Sequence, residues 1–219
     1  MVTCFVRLAR PEQADLRDID DLDPQERIKI MRFAQPADRL RFLTGRRLLR
    51  QLVAEVTRSR PGEIAIRMRC VHCGADTHGR PYAVHPGGTL PVSIAHSAER
   101  VLVAATTATA VGADIELVDE ARYNAQVLDD IEALHEHTPR RAAAFTRLWV
   151  HKEAVLKCTG DGLIVSPRTF AIAFDRNPPS LIGWTGKLAP IGLTTLDVGE
   201  RYAAAVAVGG TCEFRLQMR

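Results

Sequence analysis

Val111-Gly112-Ala113-Asp114-Ile115-Glu116-Leu117 alternates apolar residues with Gly112, Asp114 and Glu116. A period of two predicts a strand, with Asp114 and Glu116 projecting from one face and Ile115 turned to the core. Working outward, β-branched or alternating segments predict further strands at 64–69, 91–94, 101–107, 169–174, 187–196 and 202–208. Two helices are expected. The first covers about 36–56, where Leu40, Leu43, Leu48, Leu52 and Val56 recur at helical spacing behind Pro36. The second covers about 139–158, with Phe145, Leu148, Trp149 and Leu156 as its apolar stripe and Gly160-Asp-Gly162 as its stop. Each half thus has a long helix followed by strands, and the break falls near 108–111. The expectation is an α+β fold in a pseudo-twofold arrangement of two similar α/β lobes, 1–108 and 109–219, with the active site in the cleft between them.

Composition limits the classes of function. The 219 residues are 46% hydrophobic and 25% charged, which supports a sizeable core. A net charge of +3 is too small by itself to argue for nucleic acid. No stretch approaches the roughly 20 apolar residues of a membrane span, and the first residues lack the apolar core of a signal peptide. These features predict a cytoplasmic protein with no membrane partner. Five cysteines fit reduced thiols better than a disulfide framework.

The chemistry-bearing residues are ambiguous singly. Asp114 and Glu116 side by side repel unless a cation joins them, and an all-oxygen ligand set favours Mg²⁺ or Mn²⁺. Their structural alternative is a solvated strand end. In Leu148-Trp149-Val-His-Lys152-Glu153-Ala-Val-Leu-Lys157, helical spacing puts Trp149, Glu153 and Lys157 on one face. The bland reading there is an exposed Glu–Lys pair, a core Trp149 and a solvated Lys152. Arg39, Arg41, Arg46 and Arg47 share the first helix, and a solvated basic face is the ordinary outcome for Arg39, Arg46 and Arg47. Gly79-Arg80-Pro81 reads as a turn carrying a cation, and Ile94-Ala-His96-Ser97 as a strand end with a histidine. Arg and His are nonetheless the side chains that phosphate-rich ligands need.

Taken in order, these segments resemble the 4′-phosphopantetheinyl transferases, specifically their Sfp-type members. Gly112-Ala-Asp114-Ile-Glu116 matches that family's Gly-x-Asp-x-Glu segment, and Trp149-Val-His-Lys152-Glu153-Ala-Val-Leu-Lys157 matches its Trp-x-x-Lys-Glu-x-x-x-Lys. Gly79-Arg80-Pro81 and Ile94-Ala-His96-Ser97 look like its Gly-Lys/Arg-Pro and Ser-His-Ser segments, so the likeness runs over about 41–163. The resemblance implies transfer of 4′-phosphopantetheine from coenzyme A to a serine of an apo acyl or peptidyl carrier protein, as in the activation of carriers for secondary metabolite biosynthesis. It implies Mg²⁺ on Asp114, Glu116 and Glu153, with Asp114, Glu153 and Lys157 catalytic. It assigns Arg41 to the 3′-phosphate of coenzyme A, Arg80 and Pro81 to the adenine, His96 to a phosphate, and Lys157 to the pyrophosphate and leaving group. It makes Glu153, or a water on the metal that it orients, the candidate base for the serine proton. The same likeness points to apolar residues of 123–138, among them Leu128, Ile131 and Leu134, as the carrier-binding stretch. A monomer is the expected state.

The family's Ser before the His is Ala95 here, and its lysines ahead of the first helix are matched only loosely by Lys29 and Arg32. Two rival classes fit the sequence less well. A non-catalytic basic module for nucleic acid would have no use for three carboxylates and lacks aromatics among its arginines. Another Mg²⁺-dependent phosphotransferase would be expected to carry a Gly-rich phosphate loop, and none is present. Cys70-Val-His-Cys73 followed by His78 raises a zinc reading, with His72 as a further donor. The spacing is cramped, so a loop with free thiols is the expectation.

Overall fold

The computed structural model describes residues 1–11, 22–121, 123–134 and 136–219. The elements run β1 (Thr3–Ala9), α1 (Pro24–Met31), α2 (Pro36–Thr57), β2 (Ala65–Arg69), β3 (Arg80–His85), β4 (Gly88–Ser97), β5 (Arg100–Thr106) and β6 (Ala110–Leu117). There follow α3 (Ala125–Ile131), α4 (Ala142–Thr159), β7 (Ala171–Ala173), β8 (Ser180–Ile182), β9 (Ile191–Thr195), β10 (Tyr202–Gly209) and β11 (Arg215–Met218). The α+β expectation holds: among the described residues, four α-helices accompany sheets of order β11-β1-β5-β4-β3-β2, β6-β10-β9 and β7-β8.

Alternation along the strands builds the layers. Val101, Val103 and Ala105 of β5 pack against Leu48, Leu49, Leu52 and Val53 of α2. The intervening Leu102 and Ala104 turn the other way, to meet Val111, Ala113 and Ile115 of β6 and Ala204, Val206 and Val208 of β10. The opposite face of β10, through Ala205 and Ala207, carries α4 by Leu148, Ala154 and Val155. Each fully buried Val or Leu adds about 1.5–3 kcal/mol, so this apolar stack supplies most of the driving force.

β4 changes partner along its length, pairing with β3 through residues 88–91 and with β5 through 92–97, and no strand ladder joins it to β6. Side chains make the join instead. Ser93 Oγ accepts from Ala113 N at 2.9 Å, and Ser97 Oγ accepts from Leu117 N at 3.0 Å. Two hydroxyls, four residues apart on one face, thus satisfy amides on the free edge of β6 that would otherwise be buried without partners.

Local signals explain the helix ends. Asp23 caps α1 in a capping box with Glu26, and Pro24 takes the first turn. α4 stops at Gly160 in the left-handed conformation (φ 80°). Gly79-Arg80-Pro81 is a turn only at Gly79, which has φ 100°; Arg80 and Pro81 already belong to β3, opposite Arg69 and Met68. Among the described residues, no helix is long and apolar enough to cross a membrane.

Candidate active site

Gly112 determines how close α4 can come. A Cβ there would overlap the carbonyl oxygen of Ala154 and the amide nitrogen of Cys158, both backbone atoms of α4 that cannot swing aside. The helix therefore rests directly on β6, and the face carrying Gly112 also carries Asp114 and Glu116. Gly112→Ala is expected to cost roughly 1–3 kcal/mol through overpacking, read as a lower Tm. It should also slow any reaction that needs β6 and α4 in register.

That contact sets Asp114 against α4. Asp114 is 4% exposed, and its Oδ1 accepts from Lys157 Nζ at 2.6 Å, while its Oδ2 is buried without a hydrogen-bond partner. Burial pushes its pKa up to about 6; Lys157 opposes the rise, and Glu116 and Glu153 add to it. Burial likewise raises Glu153, with Lys157 opposing and Glu116 reinforcing. Glu116 is held by Ser97, whose hydroxyl donates to Oε2 at 2.6 Å. An orphaned carboxylate oxygen amid mutually repelling carboxylates is an environment that a hard divalent cation fits. The three do not form a preset cage: among the described residues, the trio with ligand atoms all within 4.8 Å of one another is Cys70, Cys73 and His78.

Cations lie on the other side of Lys157. A cavity of about 320 Å³, at the low end for a small-molecule site, is lined by Arg80, Pro81, Lys157, Lys29 and Arg46. Arg80 is aimed by a bond from its Nη1 to the carbonyl of Cys158, at 2.9 Å, near the C-terminal end of α4. Arg41 and His96 are not among its lining residues, and Arg41 lies near enough to His96 to act on its charge. Partial burial of the ring, then Arg41 and Lys157, hold the His96 pKa below the ordinary histidine value, which favours the neutral imidazole. Arg41 is already engaged, to Asp38 at 2.6 Å and to the carbonyl of Ala98 at 3.1 Å. Ala95 points into the apolar layer with Leu102 and Ile115.

Several expectations require correction. Lys152 is not solvated but fully buried; its Nζ bonds Glu136 Oε2 at 2.7 Å and the carbonyls of Pro167 and Phe170 at 2.8 and 2.7 Å. Glu136 in turn accepts from Ala133 N and Ile172 N. Arg46 is not on a solvated face either: it is buried beside Glu26, stacks on Phe42 at 5.0 Å and reaches the cavity. Lys29, only loosely placed from sequence, lines the same cavity; its signal was helix α1, which the 3.6-residue pattern shows too briefly to detect. In the stretch 123–138, Leu128 and Ile131 are core residues, and Leu134, 84% exposed, is the outward one of the three.

His151 lies in the same motif but serves the fold. Its Nδ1 donates to the carbonyl of Arg147 at 2.7 Å, so Nε2 accepts from Thr195 Oγ1 at 2.9 Å. Burial pushes its pKa down to about 4. The unfolded chain takes up a proton near pH 6.5 and the folded one does not, so stability is lost as pH falls from 6.5 toward 4, by about 3 kcal/mol in all. With His151→Leu this contribution is gone, and in chelator the Tm is expected to fall as pH rises from 4 to 6.5, because the opposing effect of Asp114 is left uncancelled.

Comparison with known proteins finds one matching family and several relatives. A profile of the 4′-phosphopantetheinyl transferase superfamily matches residues 110–207, which include β6, α4 and β10. The 4′-phosphopantetheinyl transferase of Bacillus subtilis is 26% identical over 210 residues, covering 92% of this chain and 89% of its own length. The 4′-phosphopantetheinyl transferase HetI of Nostoc is 27% identical over 224 residues, covering 94% of this chain and 86% of its own. A phosphopantetheinyl transferase of Thraustochytrium is 27% identical over 161 residues, and the match takes in 54% of that longer protein. The Asp114–Glu116 strand and the Glu153–Lys157 helix on which it is seated both lie inside the region that is similar to the 4′-phosphopantetheinyl transferase superfamily.

Proposed function

We propose that this protein transfers the 4′-phosphopantetheine group of coenzyme A to a serine hydroxyl of an apo acyl or peptidyl carrier protein, with Mg²⁺ held by Asp114, Glu116 and Glu153. The observation that carries the reading is Asp114, with one oxygen on Lys157 and the other orphaned among carboxylates, beside a cavity lined by cations. When bound, Mg²⁺ supplies charge neutralisation at the pyrophosphate. The chain's own residues do the rest. Arg80, Pro81, Lys29 and Arg46 surround the nucleotide end, and Arg41 and His96 offer N–H donors to phosphate. Glu153, its pKa raised, takes the serine proton as the Oγ–P bond forms. The P–O bond to 3′,5′-ADP breaks, and Lys157 balances charge on the leaving phosphate or gives it a proton.

The two lobes, 1–108 and 109–219, would close on coenzyme A from either side, and the carrier would dock beside the N-terminal half of α4. A cavity of about 710 Å³ there is lined by Leu134, Arg141, Arg147 and Arg168, a basic and partly apolar surface suited to an acidic carrier. Incubation with coenzyme A, Mg²⁺ and an apo carrier should add the mass of one phosphopantetheine to the carrier. An unchanged carrier mass, across acyl and peptidyl carriers, would refute the proposal.

A further inference from the structure

The hairpin loop between β2 and β3 carries Cys70-Val-His-Cys73-Gly-Ala-Asp-Thr-His78, which the transfer chemistry does not use. Its backbone is closed on itself: Cys70 N donates to Ala75 O at 2.8 Å, and Gly74 N to Cys70 O at 3.1 Å, with Gly74 at φ 74°. That turn brings Cys70 Sγ, Cys73 Sγ and a ring nitrogen of His78 within 4.8 Å of one another. Cys73 Sγ and His78 Nε2 are 3.4 Å apart. A tetrahedral zinc with its usual bond lengths needs a sulfur–nitrogen separation of about 3.5 Å. The amides of His72 and Cys73 both donate to Cys70 Sγ and hold its pKa below the ordinary thiol value.

We propose that Cys70, Cys73 and His78 bind one zinc ion, with solvent in the fourth position, and that the ion staples this loop. Two thiolates and an imidazole are a zinc ligand set, too soft for the Mg²⁺ suited to Asp114 and Glu116. Binding exchanges the thiol protons for the ion, the protons leave to solvent, and no electrons move. Cys73 and His78 are exposed, so the ion can enter without unfolding, while Cys70 is buried and anchors the site. His72 stands outside the trio and pairs with Asp161 just beyond α4, at 3.1 Å. The staple would therefore lock the loop that leads into Arg80 and tie it to the end of α4.

The test is metal content of the full chain, purified without a polyhistidine tag or chelator and then dialysed. It does not depend on transferase activity, so its failure would leave the proposed function untouched. About one zinc per chain is expected. Cys73→Ser and His78→Ala should each lose at least nine-tenths of it, and Cys212→Ser, the other exposed cysteine, should keep it. Cobalt exchanged into the site should give a thiolate-to-cobalt absorption band that Cys73→Ser abolishes. Zinc below a tenth of an equivalent, equal loss in Cys212→Ser, or a Cys70–Cys73 disulfide in protein purified under reducing conditions would each overturn the assignment.

Discussion

Asp114→Ala is expected to abolish phosphopantetheine transfer while leaving a folded protein, because the carboxylate is both the buried member of the acidic trio and the partner of Lys157. Asp114→Asn separates its chemical role from its cost. A carboxyl whose folded pKa is about 6 and whose unfolded value is 3.8 lends stability at low pH and loses it as pH rises between those values. Two units correspond to about 3 kcal/mol. Protein treated with chelator should therefore be held back at pH 7 by ionised Asp114, and Asp114→Asn should melt higher there while being inactive. Thermal unfolding in chelator at pH 7 checks this; an Asn variant that melts at or below the wild-type temperature would contradict it. The Asp114 effect opposes that of His151 over much the same range, so the wild-type curve should be nearly flat between pH 6.5 and 4. Only the single variants will expose the two contributions.

The second large effect is expected at Lys152. Removing it by Lys152→Ala leaves Glu136, 9% exposed, as a buried charge against the amides of Ala133 and Ile172. Breaking one side of such a pair costs about 3–5 kcal/mol. The carbonyls of Pro167 and Phe170 lose their donor as well. Denaturant unfolding should show the loss directly, and Lys152→Met combined with Glu136→Gln should recover part of it, since no uncompensated charge then remains. Activity that falls in Lys152→Ala should track the folded fraction. A variant as stable as wild type but inactive would instead place Lys152 in the chemistry.

The fold was legible where periodicity ran long. The strand of Asp114 and Glu116 and the two long helices stand where alternation and helical spacing put them. β1 and β11 were not foreseen, since their parallel pairing joins Thr3 to Arg215 across the whole chain and leaves no local mark. Short α1 and α3 escaped for want of enough turns to show a period. At the site, the motifs named Asp114, Glu116, Glu153 and Lys157 together, but not what lies between them. Spacing alone makes Lys152 a neighbour of Glu153; only the placement of Glu136, Pro167 and Phe170 around its ammonium shows that it is core. The use of Gly112 was equally hidden, because what it meets is backbone from a segment some 40 residues on.

The seam between β4 and β6 has a consequence for how such a site can change. A backbone ladder can form with almost any side chains, and its register is set by the hydrophobic pattern of the whole strand and by its turns, so no single residue holds it. Here the register of the Asp114 strand against the neighbouring sheet is spelled by two hydroxyl groups, Ser93 and Ser97, the second of which also fastens Glu116. The alignment is therefore editable by single codons that lie outside the acidic trio, and selection can retune the spacing of the ligands without touching any of them.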